Sequence, residues 1–338
     1  MIDSLSPLKL GLGVGGFFLI LLLVSETMLG RWSEMLIEGE FDALADVSSG
    51  VLRDLRLAFV HCLVIGYLPA AFLHVLQSGR RTVFVLREAL DCTREECETL
   101  ADSVRINTSG LFLIGLLALA LSFLMPYLVP PVPATPWSPS SWSPEVAWHR
   151  ILGPATMLWA WWLGYAIFSV SMRMTRIAKK LSRIDLLRLS PLAPFTQQGL
   201  TNALLLIGLI SIWSLMLIET GFGLIMWIIG GFNLVMAILA FLLPVYGVHM
   251  RIRKSKQKEL DRITGEILKR RDSFQNFDSS QRGGQLADLI AYRGLIEGIS
   301  EWPFTSSTYT RIVLYTFLPL LTWGIGIFAE EFISRMFL

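Results

Sequence analysis

The sequence predicts an all-α integral membrane protein with about seven transmembrane helices, N-terminus inside and C-terminus outside. It adds a cytoplasmic helical bundle whose long stalk helix extends the sixth span. Three observations predict this. The 338 residues are 53% hydrophobic and only 17% charged, whereas an average soluble chain is about a quarter charged. The apolar residues fall in blocks of about 20, the length that crosses roughly 30 Å of hydrocarbon as a helix. If the blocks alternate direction, 24 of the 29 Lys and Arg residues lie on one side and five on the other, and such basic excess marks the cytoplasmic side.

Residues 1–76 hold the first two spans, 9–30 and 57–76, with an acidic outer segment, 31–56, between them. The stretch Gly11-Leu12-Gly13-Val14-Gly15-Gly16 has the spacing of a dinucleotide-binding loop. That loop works only between a strand and a helix N-terminus. At the head of a span, Gly11 and Gly15 instead form a G-x-x-x-G face for close helix packing. The apolar run is too long for a signal peptide and no small-x-small site follows Leu29, so the first span reads as a retained anchor. The segment 31–56 carries six acids against three arginines, with Trp32, Met35, Phe41 and Leu44 patterned for a helix lying on the membrane surface.

Residues 77–109 read as a cytoplasmic helix, with Leu86, Leu90, Cys97, Leu100 and Val104 in one apolar stripe. Residues 110–172 hold spans three and four (110–130 and 151–172), joined by an outer loop dense in proline and tryptophan that is extended and lies at the headgroups. Residues 173–199 read as a cytoplasmic amphipathic helix, and 200–249 as spans five and six (200–219 and 223–248). Residues 250–302 form a cytoplasmic helical hairpin. Its first arm continues the sixth span to Phe277 as one stalk, and Asp278 to Gly284 make the turn. Residues 303–338 hold the last span, 310–332. Cys92 and Cys97 fall on the basic side, where thiols stay reduced, so no disulfide is expected.

Ionisable groups inside spans are the first place to look for function, because hydrocarbon tolerates charge mainly beside water or a partner. Glu26, His61, Glu219 and Glu330 map to the outer parts of their spans, and Asn233 to the middle of the sixth. These five are the candidate pore or polar-cluster residues. Gly66, Pro69 and Pro319 are the hinge candidates, since proline and glycine kink helices. No catalytic motif, metal-ligand spacing or cofactor motif occurs. The basic runs at 251–256 and 269–271 lie just inside the membrane and match lipid contact, not nucleic acid. No motif ties the chain to a known family.

The expected function is an oligomeric channel or transport protein of the bacterial inner membrane for small ions. Cations are favoured because the outer face is acidic. The alternative is a membrane scaffold or signalling protein whose cytoplasmic bundle docks a partner. A lipid-acting membrane enzyme ranks third. The expected partners are therefore the lipid bilayer, further copies of the chain, and a cytoplasmic protein. Orientation is directly checkable in sealed vesicles of known sidedness. A membrane-impermeant maleimide is expected to reach Ser140→Cys from outside and Lys180→Cys only from inside, and the reverse pattern overturns the assignment.

Overall fold

A computed structural model describes residues 5–28, 50–128, 144–181, 184–215, 224–274, 280–304, 310–311, 313–314 and 317. Among them there is no strand. The main helices are α1 (Pro7–Met28), α2 (Gly50–Val85), α3 (Arg94–Asp102), α4 (Thr108–Leu128), α5 (Pro144–Ala178), α6 (Ala193–Ser214), α7 (Leu224–Phe274) and α8 (Ser280–Gly298). Five helical stretches are long and apolar enough to cross a membrane: Pro7–Met28, Ala58–Val85, Arg150–Ala178, Ser190–Trp213 and Gly230–Arg271. The third expected span falls on α4, and all but a few residues of the seventh lie outside the described residues. So do the acidic segment at 31–49 and most of the Pro/Trp loop.

The centre is a ring of four helices in which α2 packs on α5, α5 on α7, α7 on α6 and α6 on α2. Their inward faces follow the three- and four-residue spacing of a helix stripe. On α2 this is Val60, Val64, Leu68, Ala71 and Val75; on α5 it is Leu163, Ile167, Val170 and Met174. α1 lies outside the ring against α2, and α4 lies outside it against α5. Phe112, Leu113, Leu116 and Leu117 of α4 are exposed, as are Leu8, Leu12, Phe17 and Ile20 of α1. An exposed apolar surface of that extent suits lipid, not water.

Between lipid-embedded helices the hydrophobic effect adds little, so close backbone approach does the work. Gly66 of α2 meets α1 backbone to backbone. A Cβ there would stand 2.8 Å from the Gly11 oxygen and 2.8 Å from the Gly15 Cα. A Cβ at Gly247 of α7 would stand 2.7 Å from the Thr175 carbonyl oxygen of α5, and one at Gly199 of α6 would strike the Phe241 carbonyl of α7. α2 runs unbroken through Pro69, α5 through Pro154, and α7 through Pro244.

Several inner-loop expectations need correction. The residues 77–109 are not one helix. α2 continues to Val85, a single turn spans Arg87–Leu90, and Asp91 takes a left-handed conformation (φ 52°) that ends it. α3 then starts afresh on a capping box. The Thr93 hydroxyl accepts from Glu96 N–H, and the Glu96 carboxylate accepts from Thr93 N–H at 2.8 Å. That backbone bond, then the one from the Thr93 hydroxyl, holds the Glu96 carboxyl below the usual carboxylate range. The cap is therefore complete above the ordinary carboxylate pKa and is lost as pH falls through the lowered one.

The apolar stripe was read correctly even so, since Leu86, Leu90, Cys97 and Val104 are all buried. The expected helix at 173–199 is likewise the tail of α5 to Ala178, then a non-helical connection, then the 3₁₀ turn Ser190–Leu192 leading into α6. Arg251 of α7 donates to the Leu181 carbonyl just past the end of α5. The pair Gly283-Gly284 lies inside α8, not in a turn. Finally, Cys92 and Cys97 form a disulfide with their Cα atoms 5.9 Å apart, contrary to the expectation of free thiols.

α7 is 51 residues long, about 76 Å at 1.5 Å per residue, more than twice a bilayer's hydrocarbon. α8 packs back along it. Ile263 and Ile296 are buried, Tyr292 donates to the Glu259 carboxylate (3.2 Å), and Arg270 donates to Gln285 (2.5 Å). A short strap, 299–304, then ties the hairpin to the ring. Lys256 Nζ donates to the Glu297 and Ile299 carbonyls at 2.8 Å each. Trp302 stacks on His249 (4.1 Å between centroids, 14° between planes), and Thr196 of α6 donates to the Pro303 carbonyl at 3.2 Å.

The seating of α1 predicts a matched pair of variants. Gly66→Ala forces α1 off α2 and is expected to cost about 1–3 kcal/mol, lowering the thermal midpoint in detergent micelles. Gly13→Ala, with no described atom within 4 Å of its Cβ, is expected to match the parent. Equal midpoints for both variants would contradict this packing.

Candidate functional site

The residues that stand out chemically form a buried chain of uncharged polar groups at one end of the four-helix ring. Asn202 and Ser171 are fully buried, and Gln198 is 2% exposed. Gln198 sits one turn into α6, and Asn202 follows four residues later on the same face. The Gln198 amide oxygen accepts from the Thr82 hydroxyl of α2 at 3.0 Å. Its amide nitrogen donates to the Ser78 hydroxyl of α2 at 3.1 Å and to the Asn202 side-chain oxygen at 2.9 Å. The Asn202 amide donates onward to the Ser171 hydroxyl of α5 at 3.1 Å. One turn along, the Thr175 hydroxyl donates to the Leu243 carbonyl of α7 at 2.6 Å. Side-chain bonds thus join α6 to α2 and to α5, and the separate Thr175 bond ties α5 to α7.

Each amide proton of Gln198 has an acceptor, and Ser78 passes its own proton to the Val75 carbonyl at 3.1 Å. Saturation matters because an unmet amide in this setting costs about 1–3 kcal/mol. The Leu243 carbonyl lies just before Pro244, and Thr175 reaches it where Gly247 lets α5 approach.

The residues singled out from the sequence are placed differently. Asn233 continues the inward stripe of α7 through Ala237, Ala240, Pro244 and Val248, and is half-buried. It stands ten residues from Leu243, about 15 Å along the axis. Val75, Ile167, Ala203 and Leu206, all buried, lie between that level and the Gln198 level. Glu26 and His61 are half-buried and each has its own interactions. The α1–α2 packing sets Gly15 against the Cys62 carbonyl and Gly66, and Leu22 beside Ala58, so Glu26, one turn beyond Leu22, stands about 10 Å along the axis from the level of His61. Glu219, Glu330 and Pro319 lie outside the described residues. Gly11 and Gly15 meet Gly66, as described above, and Pro69 is buried within α2. Among the described residues, no group of three or more His, Cys, Asp or Glu side chains is placed to hold a metal ion.

Sequence reading passed over Gln198, Asn202, Ser78, Thr82, Ser171 and Thr175. A signal was present: three pairs of small polar or amide residues, each spaced i and i+4, near the same end of three spans. If the two amides act as one unit, Gln198→Leu and Asn202→Leu each cost about 1–3 kcal/mol. The double variant then costs clearly less than their sum. Denaturant unfolding in micelles measures this, and strict additivity would show the amides to be independent.

No protein-family model, no curated protein and no solved structure matches the chain.

Proposed function

We propose that the chain is an oligomeric ion-transport protein of the bacterial cytoplasmic membrane. In this reading seven spans cross the bilayer with the N-terminus inside, and the inner part of α7, with α8, projects into the cytoplasm as the stalk. The observation that supports transport is the alternation of polarity inside the ring. A polar level at Asn233 stands about 15 Å from Gln198 and about 9 Å from Asn202, one turn nearer, with the buried Ile167 and Leu206 between. Short apolar segments between wettable levels gate conduction by shedding water, and uncharged amides and hydroxyls can replace part of an ion's hydration shell. The acidic outer segment favours cations.

A specific observation supports the second reading, a scaffold. Leu268, Ile290 and Leu295 are exposed on the α7–α8 hairpin. The stripe residues Leu86 and Ile263 are buried and offer a partner nothing.

Flux through liposomes holding the purified protein separates the two. Transport predicts cation flux above that of empty liposomes, lost in Asn233→Leu. Leu206→Asn, which puts a polar group in the apolar segment, is expected to raise flux about tenfold, as a barrier lowered by about 1.4 kcal/mol does. If neither parent nor Leu206→Asn conducts under voltage, tension or pH steps, transport is wrong.

A further inference from the structure

Cys92 and Cys97 are joined for a reason that lies in the cap of α3. Cys92 immediately precedes the Thr93 N-cap, and Cys97 immediately follows Glu96, the third residue of the helix. These are the two positions that a capped helix brings together as a hydrophobic staple. The capping box holds the staple geometry by itself, through the Thr93 and Glu96 bonds. The Cα separation of 5.9 Å lies in the range that a disulfide spans. The same contact therefore serves in both redox states, since reduced cysteines pack as small apolar side chains. Cys92 is half-exposed and Cys97 is fully buried, so a solution oxidant reaches Cys92 first.

We infer that Cys92 and Cys97 are a reversible redox pair that locks the start of α3 when oxidised. The physiological setting rests on the inward orientation proposed above, because disulfides on the cytoplasmic side are usually transient or redox-sensing. The oxidant is a low-molecular-weight disulfide of the glutathione class. The Cys92 thiolate attacks one of its sulfurs and releases one glutathione thiolate. The Cys97 thiolate then attacks Cys92 sulfur in the mixed disulfide and releases the second. The two protons lost by the cysteines go to the two glutathiones, so two thiols and one disulfide become one disulfide and two thiols. The bond pins α3 to the turn that leaves α2. α3 already touches α2 through the Arg80–Asp102 ion pair at 3.1 Å, with Arg80 two residues from both Ser78 and Thr82.

The test is a titration of the full-length protein in micelles against glutathione buffers, followed by acid quench, alkylation and tryptic digestion. Cleavage after Arg87, Arg94 and Arg105 puts the two cysteines on separate peptides, 88–94 and 95–105, so the bond appears as a linked pair. The linked fraction is expected to pass from about a tenth to nine-tenths over about a hundredfold change in [GSH]²/[GSSG], and to reverse on reduction. Thr93→Ala, which removes the cap hydroxyl, is expected to shift the midpoint about fivefold toward the thiols. Unlinked peptides at every ratio, linkage surviving the most reducing buffer, or a midpoint unmoved by Thr93→Ala each overturn the proposal. Orientation is read separately. An impermeant maleimide should modify reduced Cys92 in inverted vesicles. Modification only in right-side-out vesicles overturns the cytoplasmic setting and the proposed orientation, while the titration still decides the chemistry.

Discussion

The Gln198 side chain must find a partner for every proton and lone pair it carries, and at 2% exposure the surrounding helices have to supply them. Its oxygen takes Thr82, and its nitrogen takes Ser78 and Asn202. Satisfying one amide therefore fixes α6 against α2 in both height and rotation. Asn202 extends the constraint to α5, and Thr175 extends it to α7. Apolar packing alone would tolerate small slides of one helix along another, because Leu and Val contacts are not directional. Hydrogen bonds are, and a slide of one residue would leave two amides unmet. The glycines make the arrangement reachable: with side chains at Gly199 or Gly247, α7 could not come close enough to α6 and α5.

What the sequence revealed and what it hid divide along a physical line. Five of the seven expected spans, the inward stripes and the Gly11–Gly15 face were legible because each is a property of one segment. The length of α7 was legible for the same reason, since no breaker strong enough to stop it occurs before Phe274. The inner connections were misread because an apolar stripe survives a broken helix. Leu90 and Cys97 keep their phase across the left-handed Asp91 and the new cap at Thr93. Glycine pairs were over-weighted at Gly283-Gly284, where a helix absorbs about 1 kcal/mol per glycine and α8 simply starts earlier.

The site was the least legible part. Glu26 and His61 attracted attention as single ionisable groups at depth, yet α1–α2 packing sets them at different heights. The network, by contrast, consists of residues unremarkable one at a time. Ser, Thr and Asn near a span end read as interfacial until a second helix is brought against them. Their meaning is pairwise, and no periodicity within one helix carries it. The i, i+4 spacing on three spans marks a shared face, but only tertiary structure says that the faces meet.

The order of helices around the ring differs from their order along the chain. α4 is made between α2 and α5 but ends up outside them, and α7, made last of the four, closes the circle between α5 and α6. A ribosome delivering this chain into a membrane thus releases α2, α5 and α6 before their enclosure is complete. At that stage the Thr175 hydroxyl has no Leu243 carbonyl to meet, and the amides of α6 have an open flank. A half-made chain thus leaves one face of the network uncovered, and α7 covers it on arrival. During the synthesis of residues 215–250 that flank is covered by whatever lies beside it, lipid or protein, until α7 takes its place.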